Sequence, residues 1–304
     1  MLIVGCGDVG LRAARALGAM NARVRLLALI PTPARVNALR AAGITPLAGD
    51  LDRPATLARL AGLATRVLYL APPPGEGGTG PRWWLDARSA ALARALRRRT
   101  LPRALVYAST TGVYGDCAGA WVDESRPVAP ATPRARRRVS AERAMRHLGR
   151  AGVRVSIVRA PGIYANDREG GTPRARLLRG TPALREQDDV YTNHIHADDL
   201  ARACVAALWR GRAQRVYHAS DASQLKMGEY FDLAADLYGL PRPPRITREA
   251  ARAQLPEALL SFMSESRRLR TVRLTRELRV RLRYPTVEQG LKQPGEPVPA
   301  LASA

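Results

Sequence analysis

The residues with the clearest chemical potential lie near the start of the chain, in the segment GCGDVG at residues 5–10. The segment follows an apolar run and opens a helical pattern, which is the context of a GxGxxG turn that binds a dinucleotide pyrophosphate. In such a turn the first glycine permits a tight bend, the second admits a phosphate and the third lets helix and strand pack closely. The sequence therefore predicts NAD(P) binding by Gly5, Gly7, Asp8, Val9 and Gly10, with a plain tight turn as the alternative.

The residues after the second predicted strand bear on the choice between NAD and NADP. Residues 30–33 read IPTP and lack the acidic side chain that binds the ribose 2′-OH of NAD. Arg35 follows, and Arg12 lies in the first predicted helix. A guanidinium fits a 2′-phosphate well. The sequence therefore favours NADP over NAD, with Arg35 as an ordinary exposed helix residue as the alternative.

Two more strand ends extend the predicted cofactor site. Asp50 and Leu51 follow a brief third strand. The Asp50 carboxylate could accept a hydrogen bond from the adenine amino group, or it could cap a helix instead. Ala71 and Pro72 follow the fourth strand, and open α/β sheets bind ligands in the crevice beyond such strand ends.

Apolar runs alternate with helical patterns through the first two-thirds of the chain, which is typical of parallel βαβ units. The fold class that follows is α/β, with a Rossmann-type parallel sheet. The predicted strands lie at residues 2–4, 24–30, 45–48, 66–70, 104–108 and 153–159. The predicted helices lie at residues 9–19, 34–42, 83–98, 134–148, 198–209 and 227–238.

The pattern loosens after residue 160, which suggests a division of the chain. We predict an NAD(P)-binding Rossmann core at residues 1–160 and a substrate lobe, interleaved with the core, at residues 161–293. Residues 294–304 are rich in Pro and Ala and are predicted to form a flexible tail.

Five segments, in order along the chain, resemble those of the extended or atypical short-chain dehydrogenases/reductases, the NAD-dependent epimerase/dehydratase family. They are GCGDVG, GDLD, VYASTTGVYGD, RAPGIY and NHIHADDLA, which begin at residues 5, 49, 106, 159 and 193. A later segment, VYHASDASQLKMGEYFDLAADLYGLPRPPR, resembles a YeeZ-like branch of epimerase-like proteins. The resemblance implies that the Rossmann-type parallel sheet is doubly wound and carries a smaller C-terminal substrate lobe. It also implies hydride transfer between NAD(P) and a small carbonyl, alcohol or sugar-nucleotide-like substrate.

The resemblance also assigns catalytic positions, and the chain departs from the family at two of them. Thr110 matches the family's Ser/Thr, whose hydroxyl holds a substrate oxygen, and Thr111 is the adjacent candidate. The family's Tyr-x-x-x-Lys should follow on the next helix, but Arg134 and Arg138 stand at those positions. Arginine stays charged and is a poor proton donor. Arg138 could still contact the cofactor ribose, or both arginines could be solvated helix residues.

The missing pair leaves the proton donor and the function open. Tyr114 and Tyr164 are the nearest alternative phenols, although tyrosines at such positions more often pack their rings. A non-catalytic NAD(P)-binding or sensor protein is the alternative to an enzyme.

A run of histidines and aspartates raises the question of a metal site. His194, His196, Asp198 and Asp199 lie close together in sequence, and alternation would place the two histidines on one face of a strand. The resemblance favours a structural role, in which a short strand enters a helix capped by Asp198 or Asp199. We predict no metal.

Composition narrows the partners and the compartment. The formal net charge is +23, but it comes almost entirely from arginines spread along the chain, and aromatic residues make up 5%. This distribution predicts no specific nucleic-acid partner. The chain shows no signal peptide and no apolar run of about 20 residues, so we expect a cytoplasmic protein without a membrane partner. The predicted partner is a small-molecule substrate, and a homodimer is left open.

Cysteine usage agrees with this expectation. Cys6, Cys117 and Cys204 are an odd number with no metal-like spacing, which favours reduced thiols in a reducing compartment.

Overall fold

The computed structural model describes residues 1–20, 24–74 and 82–292. Within these residues the strands are β1 (Leu2–Val4), β2 (Leu26–Ile30), β3 (Ile44–Ala48), β4 (Arg66–Tyr69), β5 (Ala104–Thr110), β6 (Trp121–Val122), β7 (Arg154–Ala160), β8 (Gly162–Tyr164), β9 (Ala183–Leu184), β10 (His194–His196), β11 (Arg215–His218), β12 (Arg245–Ile246) and β13 (Arg268–Leu269).

The helices separate these strands, and short 3-10 segments connect several of them. The α-helices are α1 (Asp8–Ala19), α2 (Val36–Ala41), α3 (Ala87–Leu96), α4 (Pro133–Arg150), α5 (Arg174–Leu178), α6 (Ala197–Arg210), α7 (Met227–Tyr238), α8 (Arg248–Gln254), α9 (Glu257–Phe262), α10 (Val272–Arg276) and α11 (Val287–Lys292). The 3-10 segments are Pro33–Arg35, Pro54–Leu60, Thr111–Tyr114 and Glu186–Asp188. No helix in the described ranges has the length and apolar character that a membrane span needs.

Seven of the described strands form the central sheet, and their order confirms the predicted doubly wound fold. The order is β3-β2-β1-β4-β5-β7-β11, and the paired strands are all parallel. The apolar side chains of β1 are buried on both faces, as a parallel sheet with helices on each side requires. The strand order reverses between β1 and β4, and the crevice at their carboxyl ends is the expected ligand site of such a sheet.

Several element boundaries differ from the predicted ones by a few residues, and two of these differences have a clear local reason. β5 runs on to Thr110, because Ser109 and Thr110 pair with the end of β7. α3 begins only at Ala87, because Asp86 is the N-cap residue and its carboxylate accepts a hydrogen bond from the N–H of Ser89. The first correction matters for the site, since it places Thr110 at the carboxyl edge of the sheet.

The C-terminal part of the chain contributes to two cores. α6 and β11 return to the central sheet, where Leu200 and Tyr217 join its hydrophobic core. A separate core contains Phe231 and Leu291 and packs α7 against α11. The division of the chain at residue 160 stays a prediction, and the predicted tail lies outside the described residues.

Candidate active site

The glycine turn after β1 is shaped partly by the protein's own packing and partly by open space. Gly5 has a φ of +84°, and a Cβ there would lie 2.3 Å from the backbone nitrogen of Ala71. A Cβ on Gly10 would lie 3.3 Å from the carbonyl oxygen of Gly5. Nothing lies within 4 Å of the Cβ position of Gly7. Gly5 is therefore required by the end of β4, whereas Gly7 is exposed and leaves an open cradle with room for a ligand.

The first turn of α1 faces this cradle. Its N-cap residue is Gly7, and no side chain caps the helix. The Asp8 carboxylate accepts hydrogen bonds from Arg12 at 2.8 Å and from Arg168 at 2.9 Å, so its charge is compensated. The side chain of Val9 packs against the core. The unpaired N–H groups at the start of α1, with the positive end of the helix dipole, suit a pyrophosphate.

Arg12 does not have the role that the sequence suggested for it. Its guanidinium is buried and donates hydrogen bonds to Asp167 at 2.5 Å and to Asp198 at 2.6 Å, besides the one to Asp8. Burial by itself lowers the pKa of Arg12, but these three hydrogen bonds raise it above its ordinary value. The side chain ties α1 to α6, so the prediction that Arg12 meets a 2′-phosphate is wrong.

Arg35 is placed differently. Its side chain is half-buried, and no carboxylate pairs with it in the parts of the chain that the structure describes. Burial raises the pKa of the Cys6 thiol to about 11, and the charge of Arg35 opposes this rise. Arg35 is therefore an unpaired cation close to the glycine turn.

The ends of β3 and β4 are held together by an ion pair. Arg88 donates to the Asp52 carboxylate at 2.7 Å and to the carbonyl oxygen of Pro72 at 3.2 Å. Asp50 caps no helix. Its carboxylate accepts a hydrogen bond from the N–H of Asp52 at 2.9 Å and so stabilises a local turn. Leu51 is half-buried against the core. These contacts connect the segments that follow β3 and β4, although β2 and β1 lie between the two strands in the sheet.

Thr110 lies at the carboxyl end of β5 and keeps its hydroxyl proton available. Its Oγ1 accepts a hydrogen bond from the N–H of Gly112 at 3.2 Å, so the O–H can still donate. Thr111 is buried, which removes the adjacent candidate from contact with a ligand.

A carboxylate that the sequence did not single out lies near Gly112, in the turn that follows Thr110. The Cβ position of Gly112 is 3.6 Å from Thr110 Oγ1 and 3.9 Å from Glu265 Oε2. Glu265 accepts a hydrogen bond from Arg267 at 2.8 Å, and the same Arg267 nitrogen donates to the carbonyl oxygen of Gly115 at 2.7 Å. The carboxylate is thus fixed against the loop after β5. No sequence motif marks Glu265, which comes from the C-terminal part of the chain.

The segment around Glu265 is anchored on both sides. The N–H of Ser266 donates to the Asp116 carboxylate at 2.8 Å, and the carbonyl oxygen of Ser266 accepts from Cys117 at 3.0 Å. β13 then pairs with β6. These contacts hold Glu265 in one place relative to β5.

Tyr114 is not available as a proton donor to a substrate. Its ring is buried, and its hydroxyl lies 2.6 Å from His218 Nε2 and accepts a hydrogen bond from Arg159 at 2.7 Å. Arg159 also pairs with the buried carboxylate of Glu142 at 2.7 Å. Burial raises the pKa of Tyr114 to about 12, although the charge of Arg159 opposes this rise. The interior network around Arg159 explains why this tyrosine turns away from the crevice.

Tyr164 is also buried, in the C-terminal core. Its hydroxyl donates to the carbonyl oxygen of Thr286 at 3.2 Å, and its ring meets His194 and His196 edge-on. A Cβ on Gly290 would lie 2.3 Å from this hydroxyl. The predicted role of Tyr164 as proton donor therefore does not fit its position.

The arginines at the family's Tyr and Lys positions lie at the start of α4. Arg138 is buried and donates to the carbonyl oxygen of Ala108 at 2.9 Å and to the Tyr107 hydroxyl at 3.2 Å. Arg134 lies one turn earlier and is an exposed residue. Partial desolvation by the surrounding protein, and then the charge of Arg138, lower the pKa of Arg134.

The histidines and aspartates of residues 194–199 have structural partners. His194 is buried with its ring 4.1 Å from that of Tyr230. His196, rather than an aspartate, caps α6, because its Nδ1 accepts a hydrogen bond from the N–H of Asp198 at 3.2 Å. Asp199 pairs with Arg202 at 2.7 Å. In the described ranges no group of three or more such residues is arranged for a metal ion.

Comparison with known proteins agrees with this geometry. The sequence model of the NAD dependent epimerase/dehydratase family matches residues 1–220. A functionally unknown conserved protein from Silicibacter pomeroyi is 30% identical, with a TM-score of 0.72 and 96% of each chain covered. No curated protein gave a match.

Two more distant structures share the fold. A UDP-glucuronic acid 4-epimerase from Bacillus cereus, in complex with UDP-glucuronic acid and NAD, is 18% identical, with a TM-score of 0.74 and 96% of each chain covered. A nucleoside-diphosphate-sugar epimerase from Pseudomonas aeruginosa is 20% identical, with a TM-score of 0.76 and coverage of 95% of this chain and 94% of that one.

A doubly wound sheet with an open glycine turn at its switch point defines the class of dinucleotide-binding α/β proteins. Within that class, the chain belongs to the NAD-dependent epimerase/dehydratase family. Membership supports the predicted nicotinamide dinucleotide and favours the enzymatic interpretation over the non-catalytic one. The YeeZ-like branch stays a prediction.

Proposed function

We propose that this protein is an NAD(P)-dependent oxidoreductase or epimerase/dehydratase-like enzyme that acts on a small alcohol or carbonyl compound. The observation that carries the proposal is the cradle at Gly7, where no protein atom lies within 4 Å of the missing Cβ. The uncapped start of α1 lies beside it, at the point where the strand order reverses. Gly7 is exposed at the start of α1, and the glycine turn there has room for a pyrophosphate.

The described residues fit the cofactor along the carboxyl edge of the sheet. The N–H groups at residues 8–10 would hold the pyrophosphate, Asp50 the adenine and Arg35 a 2′-phosphate. Ala71 and Pro72 would line the path to the nicotinamide. The unpaired charge of Arg35 supports a preference for NADP. When bound, the nicotinamide supplies the group that accepts or returns a hydride.

Thr110 and Glu265 are the residues we assign to the substrate. The Thr110 hydroxyl holds the oxygen of the reacting alcohol by donating a hydrogen bond to it. As that alcohol is oxidised to a carbonyl, the Glu265 carboxylate accepts its O–H proton, and the bound nicotinamide would accept its C–H hydrogen as hydride. In the reverse direction protonated Glu265 returns the proton to the oxygen. Arg267 keeps the carboxylate in place.

The substrate class follows from the relatives. Solved structures of this fold include a complex with UDP-glucuronic acid and NAD, so sugar nucleotides are the first compounds to test. The cytoplasmic location and a homodimer remain expectations from the sequence.

The proposal is tested by screening sugar nucleotides, aldehydes and ketones for turnover with NADP(H). With a substrate in hand, Thr110→Val and Glu265→Gln are each expected to lower kcat by about 10²–10⁴-fold, because each removes a group that acts on the substrate oxygen. Cofactor affinity should be unchanged in both. Glu249→Gln, which changes an exposed glutamate, serves as the control. A wild-type kcat in both site variants would contradict the assignment of Thr110 and Glu265 to the substrate. Tight cofactor binding without turnover of any compound in the screen would contradict the proposal that the protein is an enzyme.

A further inference from the structure

Positive charge at the start of α4 has no counter-charge among the residues that the structure describes. Four arginines are buried in the described chain, and two of them are neutralised: Arg12 by three aspartates and Arg159 by Glu142. The other two, Arg137 and Arg138, have no carboxylate within ion-pair distance in the described ranges, and the Nε of each has no hydrogen-bond partner. Buried charges are normally paired. These two arginines therefore stand apart from the rest of the interior.

Arg134 adds a third positive charge to Arg137 and Arg138, and we call these three residues the arginine stripe. Residues three and four apart are neighbours on a helix surface, so Arg134, Arg137 and Arg138 line one side of the first turns of α4. Arg134 has no hydrogen-bonding or ion-pair partner in the described ranges either. Its pKa is lowered, first by desolvation and then by the charge of Arg138. The guanidiniums repel one another, and an anion between them would relieve that repulsion.

The arginine stripe lies at the edge of the sheet where a substrate would bind. Arg138 donates to the carbonyl oxygen of Ala108, two residues before β5 ends at Thr110. Arg134 is one helical turn closer to the N-terminus of α4, and so lies farther toward the crevice. The helix dipole also favours negative charge at that end.

We propose that Arg134 and Arg138 bind an anionic group of the substrate, a carboxylate or a phosphate, at the place where relatives carry tyrosine and lysine. This proposal rests on the proposed function and deepens it, because it names a charged substrate. A guanidinium offers two parallel N–H donors to either kind of oxyanion. Arg137 contributes charge beside the pair. The departure from the family pattern is then a change of substrate recognition, while Thr110 and Glu265 remain beside the reacting oxygen.

The test titrates inorganic phosphate and malonate into protein saturated with NADP, by calorimetry at constant ionic strength. Cofactor saturation keeps these anions out of the glycine turn. Wild type is expected to bind at least one of them, and Arg134→Gln and Arg138→Gln should each weaken that binding by about tenfold or more. Arg143→Gln, on an exposed part of the same helix, should bind as wild type does. Stronger phosphate binding indicates a phosphorylated substrate, and stronger malonate binding a carboxylate.

The outcomes separate this proposal from the proposed function. Absence of anion binding to wild type, or unchanged anion affinity in both arginine variants, overturns the anion site. Failure of wild type to bind NADP overturns the proposed function instead. The difference in anion affinity between wild type and the two arginine variants then still tests the anion site. Arg134 is exposed, so its variant should fold; for the buried Arg138, the variant Arg138→Lys keeps the charge and should lose only part of the affinity.

Discussion

The backbone of Gly5 passes so close to Ala71 that a Cβ on the glycine would lie 2.3 Å from the alanine nitrogen. Ala71 follows β4, and its N–H donates to the carbonyl oxygen of Val4 at 3.1 Å. The turn after β1 and the end of β4 therefore form one rigid edge at the switch point of the sheet. Gly7, two residues on, has open space where Gly5 has backbone. Gly5 is therefore needed for the fold, whereas the position of Gly7 leaves room for a ligand.

The first prediction concerns this contact. Gly5→Ala should lower the free energy of unfolding by about 2 kcal/mol or more, because the new Cβ meets backbone and the φ of +84° strains any L side chain. Urea unfolding of variant and wild type measures the change. Gly18→Ala is the control, since nothing surrounds that glycine in α1, and it should be neutral or slightly stabilising. Equal losses in the two variants would contradict the prediction.

The second prediction concerns Arg12. Arg12→Met should cost about 3–5 kcal/mol of stability, because it leaves three carboxylates of α1, α6 and the intervening loop without their shared cation. Arg15→Met, on the exposed side of the same helix, should have little effect. Thermal unfolding of both variants checks this. A loss no larger than that of Arg15→Met would show that the ion-pair cluster does not hold these elements together.

The third prediction concerns cofactor choice. Arg35→Gln should weaken NADP binding by about tenfold or more and leave NAD binding nearly unchanged, because only NADP carries the 2′-phosphate. Parallel fluorescence titrations with both cofactors measure the two affinities. Arg40→Gln, an exposed arginine of α2, is the control. If Arg35→Gln weakens the binding of both cofactors equally, or of neither, Arg35 does not recognise the 2′-phosphate.

The fourth prediction concerns pH and His218. The imidazole is buried: its Nδ1–H donates to the carbonyl oxygen of Arg270 at 2.9 Å, and its Nε2 lies 2.6 Å from the Tyr114 hydroxyl. Burial, together with the charges of Arg159 and Arg273, lowers the pKa of His218 from 6.5 to about 4. The folded state therefore keeps the neutral form where the unfolded state is already protonated.

The sign of the pH effect follows from this difference. As pH falls from 6.5 to 4, the unfolded state binds a proton that the folded state excludes, so stability falls by up to about 1.4 kcal/mol per pH unit from this group. Urea midpoints between pH 4 and 7 measure the slope. His218→Gln should flatten it, and His147→Gln, which changes an exposed histidine, should not. An unaltered slope in His218→Gln would refute the assignment.

The sequence was a good guide to what is local and a poor guide to what depends on long-range packing. The glycine spacing located the turn, and the apolar runs located the strands of the sheet, since both depend on neighbours in sequence. The same reasoning offered Tyr114 as a proton donor, because it could not show that Arg159 and His218 hold its hydroxyl in the interior. It also missed Glu265, because only the tertiary structure brings this residue close to Gly112, in the turn after Thr110.

The central claim, that the turn at residues 5–10 binds a nicotinamide dinucleotide, is tested most directly at Gly7. Since nothing lies within 4 Å of its Cβ position, Gly7→Val should fold and unfold much like wild type. Calorimetric titration with NADP and NAD should then show binding to wild type and none to the variant, because the side chain occupies the space of the pyrophosphate. A well-folded Gly7→Val protein with wild-type affinity for either cofactor would contradict the account.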